Sequence, residues 1–313
     1  MRDLANVGTF KSRWPVFEPE IRKILGPKPT GHDVFLLGSK LSEIFREASE
    51  AGRTQSMLSG GGSTWECLVV WYLNLIAFGT DLIAAKTKKA SVPEVITDAI
   101  CVTLQGYPTT SESDVIVYSI PNAGLLGAKI TVRQINEQIM SDTRKCAVAI
   151  VQCKTNWNDN SQIPMLWDMV YRSLPFSNVA SISVGRNGVS PRSFAGDSVK
   201  YAFITVPTND KKGAHKPGSV SVTRVIGLSG GNYWGRATSI GVAQSFAEFL
   251  PNNFAAFFSG SIQNHVQSHL DASEGVLEDF LTLRFDVSEQ RDLIGKPTQL
   301  SLLDESDESL IAQ

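Results

Sequence analysis

The sequence predicts an α/β protein: a mixed β-sheet sandwiched by helices, with an N-terminal helical elaboration and a C-terminal elaboration of strands and helices. Three observations predict it. Apolar residues recur at helical spacing through the first fifty positions, strand-like and helix-like segments alternate from residue 99 to 185, and further β-type segments follow before the chain returns to helix near residue 240. A chain of 313 residues, 42% hydrophobic and 19% charged, is long enough to bury a full core without disulfide or metal staples.

Residues 1–58 read as an N-terminal helical region. In WPVFEPEIRKILG, Pro15 stands near a helix start, and Asp33 to Ala51 sets Phe35, Leu37, Leu41, Ile44 and Phe45 at helical spacing. The next stretch, GRTQSMLSGGGS, carries Arg53 and ends in Gly60 to Gly62, a run that suits a hinge or a close backbone approach. It feeds an apolar helix from Thr64 to Ala77. The run Cys67 to Phe78 is too short to span a bilayer and contains Asn74, so it reads as a buried helix with no membrane role.

Candidate strands follow at Ala99–Leu104, Asp114–Ile120, Ala147–Lys154, Ala180–Val184, Val199–Val206 and Val220–Ile226. The helical segment ITVRQINEQIMSD separates the second from the third, and IPMLWDMVYRSL follows the third. Closing helices are expected at Ile240–Phe249 and Asn253–Leu270, ahead of an acidic tail. The organisation is a helical region at 1–58, a core at 59–185, and a β-rich extension with C-terminal helices and tail at 186–313.

Several function classes find no support. The N-terminus MRDLANVGTFKSRW lacks the apolar h-region of a secretory signal, which predicts a cytoplasmic protein. Cys67, Cys101, Cys146 and Cys153 form no C-x-x-C pair and lie in apolar stretches, as buried free thiols do. His265 and His269 share a helical face, but no Glu or Cys stands near them in a zinc pattern. No P-loop or dinucleotide fingerprint occurs, so no nucleotide cofactor is expected. Gly227-Leu228-Ser229-Gly230-Gly231 matches the nucleophile elbow of α/β-hydrolases, yet the following NYWGRATS opens no helix. It reads as a glycine-rich loop presenting Tyr233, Trp234 and Arg236 for stacking or phosphate contact, or as a turn packing its aromatics on the core.

Charge is segregated. Residues 186–236 hold eight Lys/Arg, among them Lys211, Lys212, Lys216 and Arg236, against Asp197 and Asp210, a net +6; residues 271–313 carry a net −8. The basic segment suits a phosphate backbone, which an acidic tail would avoid. Arg53 and the run Lys86 to Lys89 offer further positive charge.

The chemistry concentrates in AVAIVQCKTNW, residues 147–157. An apolar strand ends in Gln152 and Lys154, two apart and therefore on one face, and a lysine there requires a partner or a task. In SESDVIVYSI, Asp114 opens another apolar strand. If the two strands are neighbours, a carboxylate, an amide oxygen and an ammonium meet at one point.

This pattern resembles the PD-(D/E)XK nuclease superfamily. Ser113-Asp114 stands for its first half-motif, with Ser in place of Pro, and Gln152-Cys153-Lys154 for its second, in the Gln-x-Lys form that looks like Mrr-type restriction enzymes. The resemblance spans about residues 59–175. It implies a restriction-endonuclease-like core and a Mg²⁺-dependent, type II restriction endonuclease acting on double-stranded DNA, with Asp114, Gln152, Lys154 and Glu66 catalytic and Asp114, Gln152 and Glu66 holding the metal. Glu66 enters because such enzymes often present a helical glutamate after a Gly/Ser-rich loop; Ser63-x-x-Glu66 equally fits a capping box. A double-strand break at a symmetric site is most simply made by a homodimer. The alternative is a non-catalytic DNA-binding protein in which Gln152 marks a disabled site.

Overall fold

The computed structural model describes residues 7–50, 61–87, 91–111, 113–125, 129–155, 161–172, 181–206, 215–236, 241–272, 275–283 and 301–302. Helices α1 (Gly8–Leu25), α2 (Gly31–Leu36) and α3 (Leu41–Glu50) lead into α4 (Gly61–Ile76). β1 (Leu82–Lys86), α5 (Glu94–Ala99), β2 (Val102–Leu104), β3 (Tyr107–Thr109), β4 (Val115–Ser119), β5 (Lys129–Ile130), α6 (Val132–Ser141), β6 (Val148–Lys154), α7 (Gln162–Arg172), β7 (Ile182–Val184) and β8 (Lys200–Thr205) follow. The chain continues through α8 (Val220–Ile226), β9 (Gly231–Trp234), β10 (Gln244–Ser245), α9 (Phe249–Phe254), α10 (Ile262–Ala272), α11 (Gly275–Leu281) and β11 (Ser301–Leu302).

A six-stranded mixed sheet, ordered β1-β4-β6-β8-β9-β10, organises the molecule. β1, β4 and β6 form an antiparallel meander. The connection through α7 brings β8 in parallel to β6, and β9 and β10 continue in parallel. Since β8 pairs directly with β6, the boundary expected at residue 185 falls between strands of one sheet. A smaller sheet, β3-β2-β7, leads into β4.

The alternation of side chains along the central strands assigns each face its own core. Val115 and Val117 of β4 with Ala149, Val151 and Cys153 of β6 pack on the side of α4 and the N-terminal helices. Ile116, Tyr118, Val148 and Ile150 pack on the other, against α5, α6 and α7. Helix α4 is apolar all round because it is covered all round: Trp65, Leu68, Trp71, Tyr72 and Ile76 are each fully buried between the sheet and the N-terminal helices. Asn74, the polar break in that run, stitches α4 to the sheet. Its amide nitrogen donates to the Ala84 carbonyl at 2.8 Å and its oxygen accepts from the Ala84 N–H at 3.2 Å.

Several expectations are corrected. Residues 220–226 form helix α8 and not a strand: Val222 and Val225 are buried at i, i+3 while Val220 and Ile226 are exposed, so packing overrides the β-propensity of an alternating VSVTRVI. The loop expected around Gly231 contains β9. Gly230 is required there, because a Cβ would stand 2.8 Å from the Tyr201 backbone. Within the expected helix 240–249, the described residues from 241 hold β10 and a 3₁₀ turn, with helix only from Phe249, and the helix expected at 253–270 is interrupted before Ile262. Helix α1 starts at Gly8, which places Pro15 inside it. Residues 94–99 are helical, so the strand expected from Ala99 starts at Val102.

Candidate active site

β4 and β6 bring the predicted residues together at one end of the sheet. Their last registered pair is Val115 with Val151, so Asp114 and Gln152 stand one step beyond it. By strand alternation Gln152 and Lys154 occupy the same face, opposite Val151 and Cys153, and Asp114 stands in the bend that precedes β4. Gln152 is fully buried and Lys154 half-buried.

Asp114 is fixed at three points. Its N–H donates to the Val151 carbonyl at 3.1 Å, and its carbonyl accepts from the Thr87 N–H at 3.0 Å. The carboxylate oxygen Oδ2 accepts from the Cys153 N–H at 2.7 Å. The side chain therefore spans the β4–β6 seam at the residue between Gln152 and Lys154.

Glu66 approaches from the other side. It lies in the second turn of α4, which begins at Gly61, so Ser63 is inside the helix and the capping-box reading is corrected. Glu66 Oε2 instead forms an ion pair with Lys86 Nζ at 2.7 Å, and the same ammonium donates to Ser63 Oγ at 2.7 Å. Lys86 is the last residue of β1, in register with Val115. Cys153 sits among all these charges. Burial pushes its thiol well above the ordinary range, Asp114 and Glu66 push it further, and Lys86 and Lys154 pull the other way.

Lys86 is the site residue that sequence reasoning missed, because LIAAK was not recognised as a strand. The available signal was a short apolar run between Asp81 and a basic stretch.

Neighbouring strands extend this end of the sheet. Lys154 is in register with Thr205 of β8, and Thr205 with Trp234 of β9. Arg236 follows two residues later, its guanidinium 4.6 Å from the centre of the Trp234 ring. Trp234 and Tyr233 are core residues. Tyr233 packs edge-on against Phe249 and its hydroxyl accepts from Asn252 and Asn253, while Trp234 packs beside His215. Neither ring is exposed for stacking on a base; of the two readings of this segment, the packing of its aromatics on the core is the one the burial matches.

The basic stretch divides by position. Lys216 is exposed. Lys200 lies at the far end of β8 and donates to the Asn253 carbonyl at 3.3 Å, and Arg186 pairs with buried Asp98 at 2.6 Å. Arg53, Lys211 and Lys212 lie outside the described residues.

Two other sequence features take structural roles. The Ser229 hydroxyl donates to buried Asp168 and accepts from the Tyr201 N–H at 2.9 Å; Asp168 also pairs with Arg172, so this serine ties α7 to the loop before β9. His265 and His269 have ring centroids 4.6 Å apart, and His265 Nε2 lies 2.7 Å from the Phe78 carbonyl at the end of α4. Both histidines are half-buried packing groups.

Among the described residues, no helix is long and apolar enough to cross a membrane, and no group of three His, Cys, Asp or Glu side chains converges to hold a metal. No protein-family model and no curated protein matches this chain.

Proposed function

We propose that this protein is a Mg²⁺-dependent endonuclease of the type II restriction kind, hydrolysing phosphodiester bonds of double-stranded DNA at the site of Asp114, Gln152 and Lys154. The observation that carries the reading is the placement of Gln152 and Lys154 at the end of β6 with the Asp114 carboxylate bound to the Cys153 N–H between them.

Mg²⁺ takes oxygen ligands and retains several waters, so a site with one carboxylate and one amide suits it. Asp114 brings a carboxylate to this end of the sheet and Gln152 an amide oxygen. These two would hold the ion. When bound, it supplies Lewis-acid stabilisation of charge on the phosphate and lowers the pKa of a coordinated water.

The chain's own groups do the positioning. The Cys153 N–H holds the Asp114 carboxylate in one orientation, which leaves less reorganisation for the reaction. Lys154, on the same face, places its ammonium against a phosphate oxygen and the attacking water. Hydrolysis then forms one new bond from water oxygen to phosphorus and breaks one phosphate ester bond, the water's proton passing to the departing oxygen. Arg236 holds a neighbouring phosphate of the backbone. A two-fold homodimer in the cytoplasm would cut both strands of a symmetric sequence.

Digestion of unmethylated plasmid and phage DNA with Mg²⁺, followed by mapping of the ends, tests the proposal. Discrete fragments that vanish with chelator are expected. One observation favours a second reading, a DNA-binding protein without catalysis: the acid set among the described residues is thin. Mg²⁺-independent DNA binding with no cleavage of any substrate would decide for it.

A further inference from the structure

Two imidazoles in contact hold the C-terminal helices on the far end of α4, away from Glu66. We propose that His265 and His269 form an acid-operated clasp, which keeps α10 and α11 on the end of α4 while at least one ring is neutral and releases them when both carry a proton. The clasp lies beyond the nuclease reading and does not rest on it.

His265 and His269 stand one turn apart on α10, with ring centroids 4.6 Å apart. His265 Nε2 lies 2.7 Å from the Phe78 carbonyl, and a carbonyl only accepts, so this nitrogen carries the hydrogen. His269 rests on Gly79, where φ is +79° and a Cβ would stand 2.2 Å from the ring Nε2. Phe258 packs edge-on with the His265 ring at 5.2 Å, and Phe78 with the His269 ring at 5.3 Å. Neither imidazole can turn from the other without losing these contacts. Two protonated rings would thus be held at a distance where like charges, half-buried, repel strongly.

Burial holds His269 below the ordinary histidine range, and His265 lowers it further. Among the described residues, the acids of the surrounding elements have other partners: Asp33 of α2 is bound to Thr30, Asp271 of α10 to Gln267 and Glu278 of α11 to Arg22. Asp81, in the turn after α4, is itself pushed up by burial, and neither it nor Asp279 of α11 or His32 of α2 acts on His269. Arg22, Lys23 and Lys28 of α1 and the loop after it line a cavity with Gln267, Leu270 and Asp271, on the opposite side of α10.

What the clasp holds is separable from the central sheet. That sheet is complete by Ser245, and α10 and α11 add no strand to it. Instead α11 closes over two indoles: Trp14 Nε1 donates to the Leu281 carbonyl at 2.6 Å, and Trp71 Nε1 to the Phe280 carbonyl at 2.9 Å. Peripheral elements attached in this way can open without global unfolding. An opened clasp takes up a proton that the closed one withholds at His269. The clasp is therefore complete above about pH 6.5 and weakens as pH falls through the lowered value, and one withheld proton makes opening at most about tenfold more frequent per pH unit.

The test is hydrogen exchange read by mass spectrometry on the full chain, stepped from about pH 7.5 to about pH 5.5 across the histidine range and corrected for the intrinsic pH dependence of exchange. Wild type, His269→Gln and His265→Gln are compared. In wild type, peptides from residues 262–281 should lose protection relative to β6 and β8 by up to about tenfold per pH unit. His269→Gln should remove this difference. An equal loss over the whole chain would overturn the inference, as would an unchanged difference in folded His269→Gln. If His269→Gln fails to fold, His265→Gln replaces it: with the like charge gone the difference should shrink, and no change overturns the inference. A proton NMR titration of wild type reads the pair directly. One imidazole should titrate below the ordinary histidine range, and two ordinary titrations would refute the clasp.

Discussion

Asp114 performs two tasks that two substitutions pull apart. Its Oδ2 accepts the Cys153 N–H at 2.7 Å, inside a seam where the neighbouring Val115, Val151 and Gln152 are fully buried. Asp114→Ala removes that acceptor and leaves an N–H without its charged partner, which costs about 1.5–3 kcal/mol. Asp114→Asn keeps an oxygen for the N–H and removes only the charge, so its cost should stay within about 1 kcal/mol. In catalysis the two variants should be alike, since both remove the carboxylate expected to hold the metal. Urea unfolding of both proteins, paired with cleavage of plasmid DNA in Mg²⁺, reads the two tasks separately. Alanine should lower the unfolding midpoint clearly and asparagine little, with cleavage lost in both by about a hundredfold or more. Wild-type cleavage by folded Asp114→Asn would refute the catalytic assignment. An alanine variant as stable as wild type would refute the structural one.

Lys154→Ala should abolish Mg²⁺-dependent cleavage while leaving DNA binding and the unfolding curve nearly unchanged, and a folded variant that cuts normally removes Lys154 from the mechanism. Gln152→Glu should retain activity and unfold at a temperature that rises with Mg²⁺, whereas Gln152→Leu should be inactive; an active leucine variant would show that the amide is no ligand. Lys216→Ala and Arg236→Ala should each reduce the slope of log affinity against log salt by about one, while Lys200→Ala should not, because Lys200 is committed to Asn253 at the opposite end of β8. Burial raises the Asp168 carboxyl above its ordinary range, so the native state keeps a proton that the unfolded chain releases. Stability from this group is therefore complete below about pH 4 and lost as pH rises through the raised value; Asp168→Asn should flatten that part of the curve in urea titrations at stepped pH.

The part of the site that lies on strands was legible because its signal is local. β6 is a long apolar run ending in polar heads at i and i+2, and β4 is a shorter one opened by an acid. Alternation places Gln152 and Lys154 on one face, and the β4–β6 pairing brings Asp114 to the Cys153 N–H between them. The contribution of β1 was not legible. Leu82–Lys86 contains two alanines, weak strand formers, and holds its conformation through pairing with β4 and through the Asn74 amide, both of which are tertiary contacts. Without β1 there is no reason to bring Lys86 to Glu66, twenty residues away, and the glutamate is left to be read as a cap or as a ligand. The same limit explains α8 and β9. In VSVTRVI the alternation is genuine, but the groove formed by Phe203, Leu228 and Trp234 accepts Val222 and Val225 at helical spacing.

The charge balance of the site gives a physical reason for a glutamine at position 152. A carboxylate there would be fully buried across the seam from Asp114, and two carboxylates so placed repel one another and pay for desolvation. A bound divalent ion would relieve both costs, but only while bound. The amide avoids them in the free protein and still offers an oxygen. Lys86 has the corresponding effect on the α4 side, where it neutralises Glu66 at contact distance. The Asp114 carboxylate, for its part, is oriented by the Cys153 N–H. On the metal-dependent reading, such a site would trade affinity for the ion against stability without it.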